Sequence, residues 1–222
     1  MNNVKNSIGW ADFTWNPVVG CKNGCPYCYA RKIRKRFEPD IPFEIITNYD
    51  ERLEQPLKIK KSGTKIFVGS MTDLFAKWAR RSNVVNILDI IKQCPQHIFM
   101  FLTKNPEGYK HYKYPDNVCL GATVTGIGDW KRVANFIRIK RDNIKFLSIE
   151  PLLDRINSSY FLLPDWIIIG GLTPKPCHKK EWVDKFLDLN SAIKRPIFLK
   201  DNLKYPVKIK EFPFYNIIKR CL

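Results

Sequence analysis

The sequence predicts an α/β fold whose parallel sheet closes wholly or partly into a barrel. From residue 65 onward, short apolar runs rich in β-branched and aromatic residues alternate with stretches in which apolar residues recur every three or four positions. The runs are mostly apolar, as buried parallel strands are. With 45% hydrophobic and 13% aromatic residues among 222, the chain also has enough apolar material for a sizeable core.

A weak strand is expected over Asp12 to Trp15, followed by a helix from near Cys28 through Lys35 that Pro39 and Pro42 bring to an end. The strand runs then follow at Lys65 to Ser70, Ile98 to Thr103, Val118 to Val124, Ile144 to Ile149, Trp166 to Gly170 and Pro196 to Leu199. Between them lie helical patterns carried by Val84, Val85, Leu88 and Ile91, by Trp130, Val133, Phe136 and Ile137, and by Trp182, Phe186, Leu189 and Ile193. Strands alternating with amphipathic helices are βαβ units with right-handed crossovers, about six or seven in number. No linker rich in Gly, Ser and Pro divides them, so the sequence reads as one domain over residues 1–222.

The longest apolar runs, such as Trp166 to Leu172, fall short of the roughly 18 residues that a bilayer span needs. The start of the chain lacks a basic segment followed by an apolar one, and the expected location is the cytoplasm. The 38 Lys and Arg outnumber 21 Asp and Glu, for a net charge of +17. That excess is bunched at Arg31, Lys32, Arg34, Lys35 and Arg36 and at Lys58, Lys60 and Lys61, which makes a polyanion such as DNA or RNA the expected partner class.

Parallel α/β sheets place their working residues in the loops that follow the carboxyl ends of the strands. The first such loop holds three of the seven cysteines, Cys21, Cys25 and Cys28, as CxxxCxxC. An odd count with three cysteines so crowded is a poor disulfide framework and a better metal site. Gly20, Gly24 and Pro26 disfavour a helix there, so the segment reads as a loop wrapped around a group, its last cysteine opening a helix. Thiolates suit zinc or an iron–sulfur cluster. Structural zinc wants a fourth ligand, and His97, His111 and His178 are all remote in sequence.

CxxxCxxC with Tyr27 before its last cysteine, at the first βα loop of a parallel domain, resembles the radical S-adenosylmethionine superfamily. More closely, the chain resembles the phage- and prokaryote-associated "three-Cys-motif" family of that superfamily. The resemblance runs through Trp10 to Pro17, the cysteine loop to Ala30, Ser70 to Phe75, Leu102 to Pro106, Glu150 to Leu153 and Ile169 to Gly171. It implies a partial (β/α)6 TIM-like barrel and a [4Fe-4S] cluster on Cys21, Cys25 and Cys28, whose open iron binds S-adenosylmethionine. One electron from a donor such as flavodoxin or ferredoxin would then release a 5′-deoxyadenosyl radical that abstracts hydrogen from a substrate. A family-associated partner protein is also implied. The glycine-rich end of the second strand, which receives the methionine amino group in the superfamily, is matched loosely by Gly69-Ser70-Met71. Gly170-Gly171 is followed by Leu172 where the family usually has an acidic residue.

Other strand-end residues follow from this reading. Asp73 is placed to accept from the methionine ammonium, or else to cap the next helix. Glu150 is expected at the mouth as an acceptor for ribose hydroxyls or substrate, with a buried pair to Lys104 as the structural alternative. Lys104 could bind a carboxylate or phosphate, or be a solvated cap. Asn16, Ser70, Thr123 and Thr125 are expected to line the cofactor pocket, beside Tyr27 and Gly69. Cys177 and His178 are weak candidates for hydrogen donation or a second metal. Cys94, Cys119 and Cys221 read as buried or terminal residues, and Trp10, Trp15 and Trp78 as core or lid. Two other readings remain open: a nucleic-acid-binding module with structural zinc, and an iron–sulfur protein that senses redox state or serves a partner.

Overall fold

The computed structural model describes residues 1–156, 160 and 164–214. Cys221 lies outside them. The predicted strands form one sheet: β2 (Phe13–Trp15), β5 (Lys65–Val68), β6 (Ile98–Thr103), β7 (Val118–Val124), β8 (Lys145–Ile149), β9 (Trp166–Ile169) and β10 (Ile197–Leu199) are neighbours in chain order, all parallel. Three strands lacked a legible signal because they are only two residues long. Strand β1 (Asn2–Asn3) adds antiparallel to β2, and β3 (Val18–Val19) pairs with β4 (Thr47–Asn48) in a separate ribbon.

Register and alternation fix what each face carries. Phe67, Met100 and Cys119 stand side by side across β5, β6 and β7. One step on are Gly121, Phe146 and Trp166, and beyond them Thr123, Ser148, Ile168 and Phe198. Trp10 closes this face from below, with ring centroids 4.8 Å from Phe67, 6.1 Å from Phe146 and 6.3 Å from Trp166. Strands β5 and β9 are four places apart, about 19 Å in a flat sheet, so one indole meets both only because the sheet curls around it. The result is a half-barrel. Gly121 serves the curvature: a Cβ there would lie 2.3 Å from the Phe146 ring.

The convex face carries Ile66, Val68, Phe99, Phe101, Leu120, Leu147, Ile167 and Leu199 in a second core cluster with residues of the covering helices. From α2 (Arg81–Lys92), α3 (Trp130–Ile137) and α4 (Lys180–Ile193) the buried contributors are Val84, Ile87, Leu88 and Ile91, then Val133 and Phe136, then Val183 and Phe186. Val85, Trp130, Leu189 and Ile193, expected in these stripes, are exposed. Each stands off the narrow arc that meets the sheet. The βα rhythm also breaks after β6, where a 3-10 helix, Pro106–His111, takes the place of a full helix. Its Tyr109 is buried against Phe75, and its hydroxyl donates to the Gly121 carbonyl at 2.7 Å, which ties the short connection to β7. Trp10 and Trp15 are core residues, and no helix among the described residues is long and apolar enough to cross a membrane.

Candidate functional site

On the concave face, side chains change from apolar to polar toward the carboxyl ends of the strands. Thr123 and Ser148 follow Gly121 and Phe146, and continued alternation brings Glu150, Gly170 and Lys200 to the rim. The cysteine loop crosses the same end, between β3 and α1 (Tyr29–Phe37). As its composition predicts, the segment is irregular, with Gly20 and Gly24 at positive φ. Gly20 is required twice over: its φ is +113°, and a Cβ would sit 2.3 Å from the Ile45 carbonyl oxygen and 2.9 Å from Arg34 Nη1.

Buried Arg34 fastens this loop. Its Nη1 donates to the Ile45 carbonyl at 2.6 Å and the Val19 carbonyl at 3.3 Å, its Nη2 to Thr47 Oγ1 at 2.7 Å, and Nε lies 3.1 Å from Glu38 Oε2. The Cys21 amide donates to the Phe43 carbonyl at 2.8 Å and Thr72 Oγ1 donates to the Gly20 carbonyl at 2.6 Å. Cys28 is the N-cap of α1, its Sγ accepting from the Arg31 amide at 3.4 Å. All three thiols are free and half-buried. Burial pushes the Cys21 thiol up to about 11, and the charges of Asp73, Cys25 and Cys28 add to the rise. Among the described residues, no three His, Cys, Asp or Glu side chains converge tightly enough to hold a single metal ion.

Asp73 is a hub. Its Oδ1 accepts from Thr103 Oγ1 at 2.6 Å and from the Phe75 amide at 3.3 Å, while Oδ2 accepts from Asn23 Nδ2 at 2.9 Å and the Lys104 amide at 3.0 Å. A carboxylate so engaged positions the cysteine loop through Asn23, which also accepts from Trp78 Nε1 at 3.2 Å. Asp73 does not cap the next helix, which starts eight residues later at Arg81. Asn16 holds the second strand end: its Nδ2 donates to Ser70 Oγ at 3.0 Å and its Oδ1 accepts from the Met71 amide at 3.1 Å. Gly69, at φ +74°, makes that turn beside Leu74.

The pair expected between Glu150 and Lys104 does not form. Glu150 Oε1 instead meets Lys200 Nζ and accepts from Asn202 Nδ2 at 3.3 Å. The two chains cross over Gly170, where a Cβ would lie 2.8 Å from the carboxylate and 3.0 Å from the lysine stem. Lys104 Nζ donates to the Tyr27 hydroxyl at 2.7 Å, which joins the cysteine loop to the end of β6. Thr125 does not line the pocket through its hydroxyl, which donates to Asp129 Oδ2 at 3.0 Å. Thr123 and Ser148 differ: the Ser148 hydroxyl is wholly buried with no partner among the described residues, and half-buried Thr123 gives its carbonyl to Arg132 Nη1 at 2.9 Å.

Sequence reasoning missed Lys200, Asn202, Ser148 and Tyr29 as site residues. Tyr29 Oη donates to the Ser70 carbonyl at 2.9 Å, and its pKa is raised by desolvation and then by the charges of Glu150 and Cys28. The signal available for Ser148 was its parity with Glu150 on one strand. Cys177 is exposed, His178 has its pKa lowered by burial, and Cys94 and Cys119 are buried as expected. No curated protein and no solved structure matches the chain. A family model does match, over residues 5–210, and the chain belongs to that family, described as "Protein of unknown function (DUF5131)".

Proposed function

We propose that the protein is a radical S-adenosylmethionine enzyme, built on a partial (β/α)6 barrel of that superfamily's type, with a [4Fe-4S] cluster held by Cys21, Cys25 and Cys28. The observation that carries this reading is the placement of three free thiols on the loop between the first parallel strand and the first helix, over a polar mouth. The residues suit the group. A cluster puts each thiolate on a different iron, so its ligands need not converge as those of one ion do. Across the mouth, the buried Ser148 hydroxyl has no partner among the described residues, and a polar cofactor would offer one.

When bound, the cluster and S-adenosylmethionine supply one-electron cleavage of a sulfonium C–S bond. The chain's own task is positional. Arg34, Asp73 and Asn16 hold the thiol loop and the second strand end at a fixed spacing, while Glu150, kept in place by Lys200 and Asn202, offers an acceptor at the rim. Aromatic side chains below, Trp10, Phe146 and Trp166, seal the floor against water. The net charge of +17 favours a polyanionic substrate, such as a nucleic-acid base in modification or repair.

Anaerobically reconstituted protein is expected to bind about four irons and to lose them in Cys21→Ala, Cys25→Ala and Cys28→Ala. With dithionite it should form 5′-deoxyadenosine from S-adenosylmethionine. Colourless protein holding one zinc, or an intact cluster that never yields 5′-deoxyadenosine, would overturn the reading.

A further inference from the structure

A cleft of about 330 Å³ opens beside the mouth, where the chain leaves β10 and turns through a 3-10 helix, Asp201–Leu203. That volume is at the lower end of the range for small-molecule sites. Lys200, Lys204 and Lys208 line it with Asp201, while Tyr205 and Val207 add an aromatic and an apolar wall. Lys200 belongs to both spaces: it lines the cleft, and its Nζ meets Glu150 Oε1 at the rim of the mouth.

The carboxylates that line the cleft or touch its walls are already engaged. Glu150 holds Lys200, and Asp201 Oδ1 accepts from Lys210 Nζ at 2.9 Å. Asp184 takes the Tyr205 hydroxyl and also accepts from Lys180 Nζ at 2.8 Å. Lys204 and Lys208 are exposed and form no ion pair among the described residues. The pKa of Asp201, lowered first by its bond to Lys210, is lowered further by the charge of Lys208. Two of the three lysines thus line the cleft with no carboxylate of their own.

We propose that this cleft binds the phosphate group of a nucleotide whose sugar and base reach into the mouth, an inference that rests on the mouth being the reaction site proposed above. The net charge draws polyanions to the whole surface, but only the cleft fixes where a phosphate would sit. Lysine is a compact charge with three donors and suits a phosphate approached from several sides, whereas carboxylates are gripped in a plane by arginine, which the cleft lacks. A phosphate dianion balances the two unpaired ammonium groups, and a monocarboxylate balances only one. Lys200 sets the direction. A phosphate beside it lies next to the Glu150 carboxylate, an acceptor placed for sugar hydroxyls.

The test uses the full chain, with and without iron loaded, and equilibrium dialysis of thymidine, thymidine 5′-monophosphate and a short oligonucleotide. The monophosphate should bind about tenfold tighter than the nucleoside, and inorganic phosphate should compete with it. Its affinity should fall by about fivefold in Lys208→Ala and in Lys204→Gly, and further in the double variant. Glycine takes the φ of 52° at residue 204 without strain, so that change removes the ammonium and spares the turn. Lys194→Gly is the matched control: its φ is 56°, it follows α4 at the amino end of the sheet, and it should bind like the wild type. An oligonucleotide that binds more tightly than the monophosphate assigns the phosphate to a strand; one that binds more weakly assigns it to a free nucleotide. Either supports the subsite. Equal binding of nucleoside and monophosphate, or equal weakening in Lys194→Gly and Lys204→Gly, would overturn the cleft alone. A chain that loads no iron yet binds the monophosphate through Lys204 and Lys208 would overturn the reading beneath and leave the phosphate site standing.

Discussion

The two walls of the mouth are built on different principles. On the wall made by β2, β5, β6 and the cysteine loop, most polar groups are spent on one another: Asp73 accepts four hydrogen bonds, Asn16 grips Ser70 and Met71, and Arg34 reaches three acceptors, while its Nε and Glu38 Oε2, 3.1 Å apart, pair as ions without a hydrogen bond. On the wall made by β7, β8, β9 and β10, the buried Ser148 hydroxyl has no partner among the described residues, and Glu150 spends one oxygen on Lys200 and Asn202. Densely bonded networks hold a shape, whereas an unsatisfied neutral buried group costs stability unless a ligand completes it. On the proposed reading the first wall fixes the thiols and the second is left to bind. Substitutions should sort by wall, into those that unfold or loosen the protein and those that spare it while weakening ligand.

The largest effect is expected at Arg34. Arg34→Met strands the Ile45 carbonyl and leaves Glu38 without its cation, which for a buried pair costs about 3–5 kcal/mol. A urea titration should show the midpoint falling, with Arg34→Lys recovering only part of the loss because an ammonium lacks the planar fork. A variant as stable as the wild type would remove the claim that this wall is the rigid one.

Asp73→Asn should cost less, about 1–3 kcal/mol, because the amide keeps one acceptor oxygen and turns a donor toward Asn23 Nδ2 or the Lys104 amide. It also removes one of the negative charges that raise the Cys21 thiol, so thiolate should form more readily. Alkylation of Cys21 in the metal-free protein should speed up, both from this charge change and from a looser loop. Unchanged alkylation with unchanged stability would show that the carboxylate is not the hub of the loop.

The contrast between walls also marks what the sequence could disclose. Continuous apolar runs such as Ile98 to Thr103 and Val118 to Val124 read as buried strands, and their observed bounds match because burial on both faces leaves no charged residue inside them. The cysteine loop was legible because Gly20, Gly24 and Pro26 state its backbone directly. Partners across the mouth were not. Lys104 meets Tyr27, 77 residues away, and Glu150 meets Lys200, 50 away, since the curl of the sheet decides which strand end faces which. Local spacing carries no information on that curl. It depends on fitting Phe146 over Gly121 and Trp10 beneath Phe67, a matter of volume among residues distant in sequence.

The smallest expected effect has the opposite sign. Ser148 is wholly buried on the concave side with no partner for its hydroxyl among the described residues, flanked in the sheet by Thr123 and Ile168. Deleting an unsatisfied hydroxyl relieves a desolvation cost of about 1–3 kcal/mol, partly offset by the small void that remains, so Ser148→Ala should stabilise the ligand-free protein by about 1 kcal/mol. The same change removes a donor from the pocket, and S-adenosylmethionine should bind the iron-loaded variant more weakly, by about fivefold, as read by equilibrium dialysis. A gain in stability together with a loss of affinity is the signature of a group kept for a ligand at the fold's expense. If Ser148→Ala instead destabilised the protein and left affinity unchanged, the second wall would be packing like the first, and the division between them would fail.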